Sequence, residues 1–280
     1  MKRLLPILFA LCAFTALTSA QKADSTKHHN WKWIRNGSFY GSWGYNTEWY
    51  TNSNIHISQP SDGNNYTFEN ISAHDHIGWD NVFHVQFTIP QYNYRLGYFF
   101  NAKQDWGVEL NFDHTKYVVA QDYWAIVKGT YHGRAVDTAV IINNNTLRYQ
   151  LNNGANWFLI NLVKKFNIIA TKDHKFTITS LLKAGVGPVV PHVDNTIFGQ
   201  SNNPHFQLGG WDTGLEGTIR FTFFNCAYLE YCNKVDFADY WGLGIADGGS
   251  ARQSFGAYEM ILNFGITFHL HPIAGTNTAL

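Results

Sequence analysis

The chain predicts an all-β fold: an eight-stranded antiparallel transmembrane β-barrel with short periplasmic turns and long extracellular loops. Three observations lead there. Period-two alternation of apolar and polar residues dominates, and helical periodicity is almost absent. Many alternating segments run to ten residues or more. A tilted membrane strand needs that length, whereas strands of soluble proteins average about five or six residues. Short and long links between the segments alternate strictly, as they do in outer-membrane barrels.

Composition points the same way. The 280 residues carry no formal net charge, and only 14% are charged, against 16% aromatic and 24 Gly. Soluble globular chains carry about a quarter charged residues. Disordered chains are poor in aromatics, and nucleic-acid binders show a basic excess that is missing here. Mean hydropathy is nevertheless only -0.23. Few charges and many rings in a chain of modest hydropathy imply that the apolar residues are segregated to one face.

The strands follow in order. In Ser38 to Tyr50, Phe39, Trp43, Tyr45 and Trp49 oppose Tyr40, Ser42, Asn46 and Glu48. From Gln91 to Phe100, Tyr92, Tyr94, Leu96 and Tyr98 oppose Asn93, Arg95 and Gly97. Trp106, Val108, Leu110 and Phe112 oppose Gly107, Glu109, Asn111 and Asp113. Phe158, Ile160 and Leu162 form the fourth apolar face, and Phe176, Ile178, Leu182 and Val186 the fifth. Leu215, Ile219, Phe221 and Phe223 then oppose Asp212, Glu216, Thr218 and Arg220. Ala227, Leu229 and Tyr231 oppose Glu230 and Lys234, and Tyr258 to Phe268 closes the set against Glu259, Asn263 and Thr267.

Short links fall at Asn101 to Asp105, Asn167 to His174 and Phe224 to Cys226; long ones fall at 51–88, 120–146, 190–205 and 237–252. The short links are expected in the periplasm and the long ones outside the cell. Apolar faces are assigned to lipid, since a soluble lipocalin-like barrel would invert the pattern. Ten charges then point inward: six acids (Glu48, Glu109, Asp113, Glu216, Glu230, Glu259) and four bases (Arg95, Lys183, Arg220, Lys234). Eight strands leave room only for side chains, so a packed polar plug is expected. Trp43, Tyr45, Trp49, Tyr92, Tyr94, Trp106 and Trp157 suit interfacial girdles.

Lys2 and Arg3, the apolar run from Leu4 to Ala16 and Thr18-Ser19-Ala20 read as a signal peptide over 1–20. A periplasmic segment (21–36), the barrel (37–270) and a tail (271–280) complete the division. The expected location is the outer membrane of a Gram-negative bacterium. Cys226 and Cys232 would lie roughly 20 Å apart on an extended strand, too far for a disulfide.

No GxSxG, HExxH, Walker loop or paired CxxC occurs. Candidate chemistry rests on His placement. His74-Asp75-His76 can present two imidazoles on one side for a divalent metal ion, the implied cofactor. In Phe112-Asp113-His114-Thr115-Lys116, Asp113 can orient His114 as acid or base, and Lys116 can reach lipid phosphates. Glu48, Asp113, His114, His192 and Asp212 are expected on one outer rim. That makes His114, Asp113, His192 and Glu48 the catalytic candidates, Lys116 and Asp212 the substrate-binding ones. In Gly185 to His192, Gly and Pro are expected to end the fifth strand.

Tyr92-Asn93-Tyr94-Arg95, FDHTK at 112–116, Asn152-Asn153-Gly154-Ala155-Asn156, GVGPVVPHV at 185–193 and FQLGG at 206–210 recur along the chain. In that order they resemble an outer-membrane barrel family that includes the lipid A oxidase of rhizobia, over residues 37–270. The resemblance implies the same fold and oxidation of the proximal glucosamine of lipid A. His114, Lys116 and His192 carry over as motif matches. The expected partners are outer-membrane lipids and lipopolysaccharide, with a monomeric barrel. The competing reading is a non-enzymatic structural or adhesive barrel whose loops bind partners; a channel ranks lower because the lumen is narrow.

Overall fold

The computed structural model describes residues 37–76, 91–100, 104–151, 154–173 and 175–270. The leader, the segment to residue 36 and the tail from 271 lie outside them, as do His84 and His174. Eight long strands form the barrel: β1 (Ser38–Tyr50), β2 (Tyr92–Phe99), β3 (Trp106–His114), β4 (Trp157–Ala170), β5 (Phe176–Val189), β6 (Gly210–Phe223), β7 (Ala227–Gly244) and β8 (Ser250–His269). Each pairs antiparallel with its neighbour, and β8 pairs with β1 to close the ring.

The register gives the geometry. From Tyr40, cross-strand partners run through Gly97, Glu109, Asn161, Gly185, Gly214, Asp236 and Ala257 to Tyr50. One circuit therefore shifts the register by ten residues along β1. Eight strands with that stagger tilt by about 40° and leave a backbone radius of about 8 Å. Such a tube has no open lumen once side chains fill it.

The two faces divide as the alternation predicts. Leu96, Ile160, Leu215 and Phe264 stand more than half exposed on the outer wall. A wall of such residues fits lipid and not water. All ten inward charges are buried. Most of them join in one network: Arg95 bonds Asp113 (2.5 Å) and Glu216 (3.4 Å), and Lys183 bonds Glu109 and Glu216 (both 2.9 Å). Lys234 joins Asp113 (2.7 Å) to Asp236 (2.8 Å) and Glu259 (3.4 Å), while Arg220 pairs with Glu230 (2.5 Å). Asp212 and Asp236 are also inside, which raises the acids to eight.

Near the inner end, the Arg220 guanidinium lies between the rings of Tyr40 (4.5 Å) and Tyr228 (4.0 Å). Tyr40 covers Gly97 and Tyr228 covers Gly265, where a Cβ would collide with each ring. These glycines are the space into which the tyrosines fold.

The outer end departs from long loops. The link after β1 contains strands Ser53–Gln59, Asn64–Ile71 and Ala73–His74; the link after β3 contains Tyr117–Val119, Tyr123–Tyr131, Arg134–Ile142 and Leu147–Leu151. Ser53–Gln59 pairs with the start of β8 and with Asn64–Ile71, which pairs with Tyr123–Tyr131. This cap has its own apolar core of Ile55, Ile57, Phe68, Tyr117, Tyr149 and Leu151. That core joins Trp157, Tyr240 and Phe255 at the top of the barrel.

Three expectations change here. The 237–252 link is mostly strand, because β7 and β8 outgrow the membrane and meet in a turn at 245–249. β5 continues through Gly187 and Pro188 to Val189; Pro188 faces outward opposite Trp211 and does not stop it. Trp157 is no girdle residue: it is fully buried and donates its indole N–H to the Tyr240 hydroxyl (2.5 Å).

Removing one ammonium from the network leaves three carboxylates facing each other. Lys234→Met is expected to destabilise the lipid-folded barrel by about 3–5 kcal/mol in urea unfolding followed by Trp fluorescence. Lys128→Met, which breaks an exposed pair with Glu69, should leave the midpoint nearly unchanged. Equal midpoints for the two variants would mean that the interior network does not hold the barrel.

Candidate functional site at the outer end of the barrel

The expected rim does not assemble as one surface. Glu48, Asp113 and Asp212 all point into the barrel and are buried. Glu48 accepts hydrogen bonds from Gln91 (2.5 Å) and Asn46. Asp113 is held by Arg95 and Lys234. Asp212 has Lys234, Glu259, Asp113 and Asp236 as its charged neighbours. These carboxylates lie beneath the buried Trp157, Tyr240 and Phe255, away from lipid and external water.

His114 follows Asp113 and so projects from the opposite face of β3. Asp113 therefore does not orient it. The imidazole stacks on Tyr92 (centroids 4.6 Å, planes 16° apart), and its Nδ1 donates to the Asn156 side-chain carbonyl (2.8 Å). Asn156 takes the role expected of Asp113. Parity alone could have found this, since adjacent strand residues never share a face.

Lys116 is buried, 6% exposed, and is not presented to lipid phosphates. Burial lowers the pKa of its ammonium below the usual Lys range. Its backbone carbonyl accepts the Tyr50 hydroxyl (3.0 Å). His192 is half-buried, with its ring 5.0 Å from that of Phe206.

A short turn joins these segments. The backbone N–H of Ala155 donates to Thr115 (2.8 Å), the Gly154 carbonyl accepts from His192 N–H (3.1 Å), and the Asn156 side chain donates to Val190 (2.9 Å). Gly154 has φ +117°, and a Cβ there would strike the Asn156 amide, so only glycine fits. The turn thus binds FDHTK to GVGPVVPHV through 154–156.

The HDH segment packs against β1 and the start of β2, where His76 N–H donates to the Gln91 side chain (3.2 Å). Asp75 accepts from Thr47 Oγ1 (2.7 Å) and Glu48 N–H (2.9 Å), pinning the link to β1. His74 and His76 are exposed; His74 Nδ1 donates to the Asp75 carbonyl (2.7 Å). Among the described residues no three His, Cys, Asp or Glu side chains converge as metal ligands. Within the described residues His74 and His76 have no third protein ligand beside them of the kind that holds a divalent ion firmly.

Asn156→Gly keeps the left-handed backbone (φ +47°) and deletes the amide. It is expected to cost about 1–3 kcal/mol, the loss of bonds to partly buried partners. Faster amide exchange should appear around 190–192 and not in β7. A uniform change across the barrel would show that the turn is not a local clasp.

No protein-family model matches the chain, and no curated protein does. Three solved outer-membrane proteins are similar in outline. Ail of Yersinia pestis, the attachment invasion locus protein, was solved with the heparin analogue sucrose octasulfate; it shares 14% identity over 83% of this chain and 99% of its own, with TM-score 0.32. OprG of Pseudomonas aeruginosa shares 12% over 84% and 99%, TM-score 0.40. The outer membrane protease OmpT of Escherichia coli shares 8% over 89% and 99%, TM-score 0.39. At these values the fold rests on the closed ring of eight strands in the chain itself, an outer-membrane-type barrel.

Proposed function

We propose that the protein is a non-conducting outer-membrane barrel that binds lipopolysaccharide of the outer leaflet with the upper wall and cap. The observation that carries this reading is the sealed interior beneath a folded cap. Ion pairs fill the middle of the tube, and the buried Trp157–Tyr240 pair lies at its outer end. A channel needs the space these side chains occupy. Binding must then occur on surfaces outside the tube, and the upper wall lies where head groups of the surrounding leaflet are.

Oxidation of lipid A is the narrower reading. It is supported by the motif resemblance, and by the turn at 154–156 that ties the segments bearing His114 and His192 together. The buried carboxylates do not support it, because none is presented to a lipid head group. An adhesive role for the cap without lipopolysaccharide is the competing class.

Purified protein in planar bilayers should give no stepwise conductance, and protein in nanodiscs should bind lipopolysaccharide micelles. Ion conduction by the folded barrel would contradict the sealed interior; absence of lipopolysaccharide binding would contradict the partner. Lipid A from cells with and without the protein should show the same mass profile. An oxidised species that disappears with His114→Ala or His192→Ala would establish the enzymatic reading instead.

A further inference from the structure

Above the girdle the outer wall changes chemistry. Trp49 and Tyr258 pair on β1 and β8, rings 5.7 Å apart and both exposed. The same face of β8 then continues through Gly256 and Ser254 to Arg252. Six residues along a tilted strand place Arg252 roughly 15 Å farther out than Tyr258. That is the height of head groups and their attached sugars.

At that height an open groove of about 570 Å³ is lined by Asn52, Asn54, His56, Thr67, Asn70 and Arg252. A second groove of about 290 Å³ shares Asn52 and Asn70 and ends on Trp124. The Trp124 side is 66% exposed although it stands on the cap, beyond the strand Ala73–His74 that pairs with Trp49. An indole in that position lies outside the acyl region.

The polar side chains are held in place. Asn52 Nδ2 donates to Asn70 Oδ1 (3.0 Å), and Asn70 N–H donates to Asn54 Oδ1 (2.9 Å). Asn70 has φ +56°, a left-handed conformation that Asn tolerates and most side chains do not. His56 Nδ1 bonds Thr67 Oγ1 (3.1 Å), directly across the strand pair from Arg252. Arg252 reaches Asp239 only at 3.5 Å with its side chain 63% exposed. A pair of that kind contributes little, so the guanidinium can exchange it for another anion.

A flat indole and a guanidinium in two grooves that share the fixed planar amides of Asn52 and Asn70 suit one ligand class. The apolar face of a sugar ring covers the indole, vicinal hydroxyls meet the amides, and a phosphate takes the two-pronged Arg fork. We propose that this double groove is a binding site for a phosphorylated saccharide, supplied by the inner carbohydrate of lipopolysaccharide in the surrounding leaflet. The proposal rests on the lipopolysaccharide-binding reading and names its contact surface.

The test uses full-length protein in nanodiscs, titrated calorimetrically with deacylated phosphorylated inner-core oligosaccharide and with the same probe after phosphatase treatment. The wild type should prefer the phosphorylated form. Trp124→Ala should weaken binding about tenfold or more, as loss of an exposed aromatic anchor does. Arg252→Gln should erase the phosphate preference and flatten the salt dependence. Heat-modifiable migration on gels reports that both variants remain folded. If both bind the probe like the wild type, the groove is overturned while binding of lipopolysaccharide micelles keeps the broader reading. If the wild type binds neither micelles nor oligosaccharide, both fall together.

Discussion

Closing eight strands with a ten-residue stagger leaves a tube about 8 Å in backbone radius. Its outside must be apolar to meet lipid, and its inside has room only for side chains. Period-two geometry then forces every second residue of each strand inward, and these must satisfy one another. Pairing Arg95, Lys183, Arg220 and Lys234 with the carboxylates around them answers that demand. A buried ion pair contributes little net stability compared with an apolar fill. Here its role is to specify register, since a slip of one residue would send these charges into lipid.

The same strands serve two solvents along their length. Within the membrane β8 carries Leu262 and Phe264 outward and Glu259 and Asn263 inward. Beyond it the rule inverts: Phe255 and Ala251 face the core, while Ser254 and Arg252 face out. β7 changes in step, from Val235 outward and Lys234 inward to Asp239 outward and Tyr240 inward. The boundary of the bilayer is therefore written as a phase inversion in one continuous strand. Above it the cap is an ordinary soluble β-fold with its core inside, anchored on the barrel by shared strands.

This inversion explains what was legible in the sequence. The eight membrane strands, their lipid faces and all ten inward charges follow from parity within the membrane zone. Residues 237–252 read as a loop because alternation of one sign stops there, although the strands continue. The cap strands were hidden for a related reason: short, polar segments such as Ser53–Gln59 fall below the length expected of a membrane strand. The candidate site was less legible. Residue adjacency suggested that Asp113 serves His114, whereas strand geometry separates them and recruits Asn156 from 42 residues away. Lys116 and Trp157 read as interfacial by type, and packing from other segments buries both.

One face of each strand meets lipid, and the other faces a closed, side-chain-filled interior. Nitroxide labels placed singly from 258 to 264 in β8, in lipid bilayers, test this directly through collisions with oxygen and with a water-soluble nickel chelate. Labels at 262 and 264 should be accessible to oxygen alone, and labels at 259 and 263 to neither. Nickel access at 259 and 263, or oxygen access of the opposite phase, would contradict the sealed lipid-facing barrel.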